Sequence, residues 1–549
     1  MKKIIYTICA ITALFSSASC SQERLEIEQK GVTAYENFYK TDDDALSALT
    51  NAYAQFARNV TNVSSNQIPY LAIVNLCGDD MLAGGNYYGD NDFDAALNEF
   101  RYDNQNDALV GAYKRFYYAN YAANLVIDNF GGEKADSQIK KRCVAEARVL
   151  RAFYHMTLAI YWGCPPLVDH VLPGDAKPYN CDKDPDNPMT HNELLEWCAK
   201  ECEAAAADLN ERQSTSDKNG AIVVTKGFAY ALAGKCYVFA GDFTEAKAAL
   251  MKVISSGKYA LVPGERLNEC FHVEGDGNEE KIFELNAIVD ATIGDSNFYA
   301  RSLGYTVRMW NWRTDKMEKR PSCSGIDGWG ICAPTQSFSK ELIENDGVDS
   351  WRRKSTIINV EEVMDKYQGG GIKDITGLYA CHEWMNFKTI ASPQDVYKKG
   401  TQKNFTFMRY AEVLLLYAEA CAMTNDQSGL EYLNMIQARA GSKHISSSLT
   451  LDEVKKEKKF EMWVEGCRWA DMVRWGDFDG VLNAGKNIPS LYDSKWTKEE
   501  QPDGSRYYVK YSNPNTMETG FKKGKHELFP YPDYEILTNP NITQNPGWE

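Results

Sequence analysis

The stretch KGFAYALAGKCYVFAGDFTEAKAALMKVISSGKYAL, residues 226–261, reads as a helix, a Gly-Asp turn and a second helix. Tyr230, Gly234, Tyr237, Gly241, Ala246 and Leu250 fall at the spacing of a tetratricopeptide repeat. Small Gly234 and Ala246 let two helices approach closely, Gly241 turns the chain, and Tyr237 and Leu250 fill the groove between them. A looser pair, MRYAEVLLLYAEACAMTNDQSGLEYLNMIQARAG, occupies 408–441. Such pairs cannot bury their apolar faces alone and must stack. The expected fold is therefore mainly α: one scaffold of tetratricopeptide-like stacked helix pairs, with a loop-rich region carrying short strands inserted around 262–400.

Upstream, TDDDALSALTNAYAQFAR (41–58), the 107–130 stretch and the 139–163 stretch repeat apolar residues at helical spacing. The helix pattern at 191–209 opens with Thr190 three residues before Glu193, a capping box. Between the two helix pairs, periodicity weakens and Gly, Trp and Tyr become frequent; EEKIFELNAIV (279–289) reads as a strand. Residues 451–476, LDEVKKEKKFEMWVEGCRWADMVRWG, read as one long helix. Glu461, Glu465, Arg468, Asp471 and Arg474 follow one another at three- and four-residue spacings, an ion-pair ladder along its face. The proline-rich tail, 527–549, is expected as ordered loop over the body.

The chain has 549 residues, a formal net charge of −16, 32 tyrosines and 12 tryptophans. The acidic balance argues against a nucleic-acid partner, because phosphate binding needs a basic surface. The first residues, MKKIIYTICAITALFSSASC, form an export signal: Lys2 and Lys3, an apolar run from Ile4 to Phe15, then Ser17, Ala18 and Ser19 before Cys20. Small residues running into a cysteine resemble a bacterial lipobox, which makes Cys20 the lipid-bearing first residue after cleavage of 1–19 and 20–40 a tether. No later run reads as a membrane-spanning helix. Of 15 cysteines, Cys9 leaves with the signal and Cys20 takes lipid; the remaining 13 are odd in number, so at least one is unpaired. Cys143, Cys236, Cys421 and Cys467 read as small buried hydrophobes, whereas Cys323 and Cys332 lie in a loop-like stretch where they could pair.

Five stretches in this order resemble the SusD/RagB family of outer-membrane nutrient-binding lipoproteins of Bacteroidetes: 145–168, 225–243, 407–420, 457–476 and 531–548. The resemblance covers nearly the whole mature chain. It implies helical scaffold in 41–261 and, in 262–549, a loop-rich ligand face with the last helix pairs. It also implies a lipid-anchored position on the outer membrane facing the exterior, a glycan or oligosaccharide ligand, and a SusC-like TonB-dependent transporter as partner. Peptide or sialic acid is the alternative cargo, and a surface glycoside hydrolase or lyase the alternative class.

Candidate binding residues come from two loops. In TVRMWNWRTD (306–315), Trp310 and Trp312 stand at i and i+2, which puts them on one face of an extended segment. Sugar rings stack on aromatic faces while polar side chains bind the hydroxyls; Arg308, Asn311 and Arg313 could supply the latter. Tyr305 precedes them, and Trp329 sits between glycines in GIDGWGIC. The second loop, CGDDMLAGGNYYGDNDF (77–93), offers Tyr87 and Tyr88. No cofactor is expected. Residues 90–101 and 182–193 imitate a calcium loop, but the first has Arg101 at the closing position, and in the second Asn187 replaces the glycine and Glu193 already caps a helix. No catalytic nucleophile motif, metal triad or phosphate loop is present.

Overall fold

The computed structural model describes residues 38–61, 68–85, 90–287, 304, 306–370, 384–398, 400–481 and 520–549, and the strand backbones at 488–490, 495–497, 508–510 and 513–517. The first part is helical: α1 (Asp42–Ala57), α2 (Pro69–Asn75), α3 (Asp92–Glu99), α4 (Asp107–Phe130), α5 (Gln138–Trp162), α6 (His191–Ala205), α7 (Lys226–Ala240) and α8 (Phe243–Ile254), interrupted by the short β1 (Met81–Ala83). The helices begin where their caps dictate. Thr41 and Asp44 close a capping box on α1, Thr190 and Glu193 do so on α6, and Thr225 and Asp242 cap α7 and α8.

From α4 to α8 each helix packs on the next. The α7–α8 pair is the repeat read from 226–261. Gly241 takes a left-handed φ of +83° at the turn, and a Cβ on Gly234 would lie 2.4 Å from Leu250 Cγ. Tyr237, Ala246 and Leu250 are all buried. The stretch Asn219–Ala240 is long and apolar enough to cross a membrane by composition, yet most of it is buried inside this scaffold as the packed α7.

The second part places β2 (Lys281–Leu285), β3 (Cys332–Pro334), α9 (Gln336–Asp346), α10 (Trp351–Thr356), β4 (Ile357–Asn359), β5 (Trp384–Asn386), β6 (Val396–Tyr397), β7 (Gly400–Thr401) and β8 (Phe405–Arg409) ahead of α11 (Tyr410–Met423), α12 (Leu430–Ala440), α13 (Leu451–Glu461) and α14 (Arg468–Trp475). The strands pair in antiparallel twos, among them β1 with β3, β2 with β8 and β4 with β5. One large core runs through the helices of both parts; a second, around Leu82, Trp312, Val363 and Met385, lies under the strands.

Two expectations are corrected. Residues 451–476 are not one helix: α13 ends at Glu461, and the chain turns through Val464 (φ +65°) and Gly466 (φ +77°) before α14. The charged residues here are also not a ladder along one face. The turn aims Glu461 and Glu465 at Arg409, whose guanidinium donates to Glu461 (2.6 Å), to Glu465 (2.7 and 2.8 Å) and to Glu280 (2.7 Å). Arg439 and Lys388 complete the cluster, Arg468 pairs with Asp79, and Arg474 pairs with Glu419 while keeping the one expected rung, to Asp471 at 2.8 Å. Buried charges need several partners in fixed geometry, and elements distant in sequence supply them. Among the described residues, Cys323 and Cys332 are both free thiols, Cys332 donating to Met81 Sδ at 3.0 Å.

The tail behaves as ordered chain with one short helix, α15 (Asp533–Thr538). Tyr531 is buried and donates to Trp162 O at 2.9 Å, while Trp162 Nε1 donates to Pro530 O at 3.0 Å.

Candidate functional site

The structure brings together the two loops that carry the aromatic candidates. Residues 308–312 run beside 328–331: Trp329 N donates to Arg308 O (2.6 Å), Ile331 N to Met309 O (3.0 Å), Gly330 N to Asn311 O (2.9 Å) and Gly328 N to Trp312 O (2.8 Å). Gly328 is required for this approach, because a Cβ there would sit 2.1 Å from Asn311 O. Residues 330–331 in turn receive the end of β1, with Gly84 N donating to Ile331 O (2.7 Å) and Gly85 N to Gly330 O (3.0 Å). The chain therefore leaves this frame at Gly85, beside the Trp329 loop, and is described again at Asp90, within electrostatic reach of Arg313. Tyr87, Tyr88 and Tyr305 lie outside the described residues.

Within the frame, Trp329 and Arg308 are half-buried. Asp327 organises the polar side. Its Oδ1 accepts from Thr314 N (2.7 Å), Thr314 Oγ1 (2.9 Å) and Asp315 N (3.2 Å), while its carbonyl accepts from Arg308 Nη1 (3.2 Å). Arg313 pairs with Asp315 at 3.0 Å. This pairing, with help from Asp327 and Asp90, raises the arginine's pKa against the opposing effect of burial. Both arginines are thus oriented donors, Arg313 with its charge already answered by neighbouring carboxylates and Arg308 held by the Asp327 carbonyl.

Trp310 and Trp312 do not share a face of an extended segment. Residues 306–310 are helical, and Asn311 N closes the turn on Val307 O at 2.9 Å. The rings are 4% and 5% exposed and enter different cores. Trp312 Nε1 donates to Asn386 O at 2.6 Å, and its ring stacks on Phe387 with centroids 6.4 Å apart. Asn311 is wholly buried, its side-chain amide donating to Ile326 O. These side chains hold the frame together rather than lying open on it, because a helical turn sends neighbouring residues in divergent directions.

Trp310 faces a cleft of about 110 Å³ that it lines with Tyr70, Phe271, Phe405 and Phe407. Its polar groups are already paired: Lys403 Nζ donates to Phe271 O (2.9 Å) and Thr389 O (3.2 Å), and Asp276 accepts twice from Asn404 N at 3.1 Å. Burial, with Glu284 nearby, pushes the Asp276 carboxyl up to about 7. The cleft suits a neutral, apolar-faced group. Tyr70, Phe405 and Phe407 are not among the residues that the sequence singles out; the alternation Phe405-Thr406-Phe407 is the available signal, since it marks one face of a strand. Of the calcium-like stretches, Glu193 accepts from Thr190 N and Oγ1, both at 2.8 Å, and Arg101 pairs with Asp92 at 2.5 Å.

Comparisons with known proteins agree with this architecture. The model of the SusD family matches residues 295–548. A SusD-like protein of Bacteroides ovatus is 23% identical over 100% of this chain and 98% of its own. The starch-binding protein SusD of Bacteroides thetaiotaomicron is 22% identical over 80% of this chain and 78% of its own. Among solved structures, surface glycan-binding protein A from Bacteroides thetaiotaomicron, in complex with laminarihexaose, superposes with a TM-score of 0.68 at 21% identity, covering 92% of this chain and 99% of that one. The SusD family model lies on the C-terminal part, the relatives align along most or all of the chain, and the solved structures share its helical fold, so this chain is similar to the SusD/RagB family along its length.

Proposed function

We propose that this protein is a non-catalytic glycan receptor. It captures a neutral glycan or oligosaccharide at the frame around Trp329 and passes it to a SusC-like TonB-dependent transporter in the outer membrane. It is lipid-anchored there through Cys20 and faces the cell exterior. The observation that carries the binding reading is the convergence of 81–85, 308–312 and 328–331, which sets a half-buried tryptophan beside oriented arginine donors on loops held by a rigid scaffold. Relatives whose names record starch or laminarihexaose binding support a carbohydrate ligand. The charge balance at Arg313 favours neutral sugar over peptide carboxylate or sialic acid, because Asp315, Asp327 and Asp90 already answer this cation. Of the carboxylates in the 451–476 segment, Glu461 is bound to arginine in the interior, and Glu465, at the edge of the Trp310 cleft, is already engaged by Arg409 and Lys388, so the two do not form a free acid–base pair across a pocket.

The test is native affinity electrophoresis of the lipid-free protein against a panel that includes laminarin and starch, with sialic acid and peptides as competitors. One neutral polysaccharide should retard the wild type, and Trp329→Ala should lose most of that retardation while keeping its far-UV circular dichroism. Retardation by no polysaccharide, or an undiminished Trp329→Ala, would overturn the reading.

A further inference from the structure

Cys164 and Cys181 stand apart from the other described thiols. Cys164 follows Gly163 at the C-terminus of α5, and Cys181 opens a short helical turn at the far end of the intervening loop. Their backbones are joined, with Cys181 N donating to Cys164 O at 3.3 Å, which sets the two side chains beside one another, close enough for each thiol to shift the other. Cys181 is 2% exposed, whereas Cys164 is half-buried and can be reached. The two are chemically unequal. Cys164 lies below the usual thiol range because Cys181 donates to it, and the backbone N–H of His191 at the start of α6 adds to this. Cys181 is correspondingly raised, as the donor of that bond and through burial.

We infer that Cys164 and Cys181 form a disulfide that clamps the loop on which the C-terminal tail is seated. Cys164, as thiolate, attacks a disulfide of an oxidant of the thiol–disulfide exchange class and makes a mixed disulfide; one sulfur of the oxidant leaves as thiolate. Cys181 loses its proton and attacks Cys164 Sγ, expelling the second thiolate of the oxidant. The two cysteines give up two protons and two electrons, and the oxidant becomes a dithiol. The clamp reaches the tail through the loop's own polar groups. Asn539 Nδ2 donates to Pro178 O (2.8 Å), Asn541 Nδ2 to Lys177 O (2.6 Å), Thr543 N to Asn180 Oδ1 (2.7 Å), and Asn180 Nδ2 to Cys164 O (3.2 Å).

The experiment uses the full chain, extracted in detergent, incubated with oxidised glutathione, blocked with iodoacetamide and digested with trypsin. Residues 152–183 contain both thiols and no other cysteine, and the Lys177–Pro178 bond resists trypsin. That peptide should be lighter by two hydrogens and unalkylated, and dithiothreitol should return both hydrogens. Amide exchange at 539–543 should slow on oxidation in the wild type and not in Cys164→Ser or Cys181→Ser. Two alkylated thiols after oxidation would overturn the disulfide. A disulfide with unchanged exchange at 539–543 would overturn the clamp.

Discussion

Gly234→Ala tests the packing rule on which the scaffold depends. A Cβ at 234 would meet Leu250 Cγ at 2.4 Å and Cδ2 at 2.5 Å, well inside any real carbon–carbon contact, and Leu250 is fully buried with nowhere to retreat. Overpacking of this kind costs about 1–3 kcal/mol. Helix propensity works the other way, since alanine is favoured over glycine within a helix by roughly 1 kcal/mol. With Leu250 unable to retreat the steric term is the larger, so Gly234→Ala should destabilise the protein by up to about 2 kcal/mol. Leu250→Ala alone should cost roughly 2–5 kcal/mol through lost burial and the cavity left behind. In the Leu250→Ala background the clash is gone, and the sign of Gly234→Ala should reverse to a gain of about 0.5–1 kcal/mol. Urea unfolding of the four proteins, followed by far-UV circular dichroism with slopes compared across the set, gives this double-mutant cycle directly. An equal cost for Gly234→Ala in both backgrounds would refute the close approach of α7 and α8 as the reason for a glycine at this position.

Trp312→Phe removes the bond from Nε1 to Asn386 O at 2.6 Å and leaves a buried carbonyl without that donor. It should lower stability by about 1–3 kcal/mol while leaving glycan retardation on native gels unchanged in the folded fraction. Asp80 is 0% exposed, and neither of its carboxylate oxygens has a hydrogen-bond partner; burial, reinforced by Asp79, pushes it up to about 7 despite Arg468 and Lys459. The folded state therefore holds this proton more tightly than the unfolded chain does. Its stabilising contribution is complete below the unfolded value near 4 and is lost as pH rises through about 7. Asp80→Asn should gain stability relative to wild type at pH 8, by a few kcal/mol at most, and the gap should close toward pH 4; thermal melts across that range would expose a failure as a gap that stays constant.

Much of the scaffold is legible in the chain because its determinants are local. Thr190 and Glu193 are three residues apart, Gly234 and Leu250 belong to one helix pair, and the apolar period of 107–130 sets a helix with those same bounds. The proposed binding frame is legible only in part. The residues of 306–315 and 77–93 announce aromatic and arginine chemistry, but which rings stay open is a property of the packed backbone. One helical turn at 306–310 and the approach of Gly328 to Asn311 turn Trp310 toward a cleft and Trp312 into a core, and leave Trp329 at the junction.

Composition and spacing by themselves determined a helical, repeat-built, acidic chain with a loop-rich middle, since periodicity and caps act over a few residues. Only the tertiary structure decided the partners of the buried charges, the break between Glu461 and Arg468, the meeting of the two aromatic loops and the contact of Cys164 with Cys181. Each of these depends on groups far apart in sequence, such as Glu280 with Arg439 or Met81 with Pro334. A buried charge or a strand edge takes whichever partner the folded backbone brings within a few ångströms, and sequence spacing carries no record of that distance.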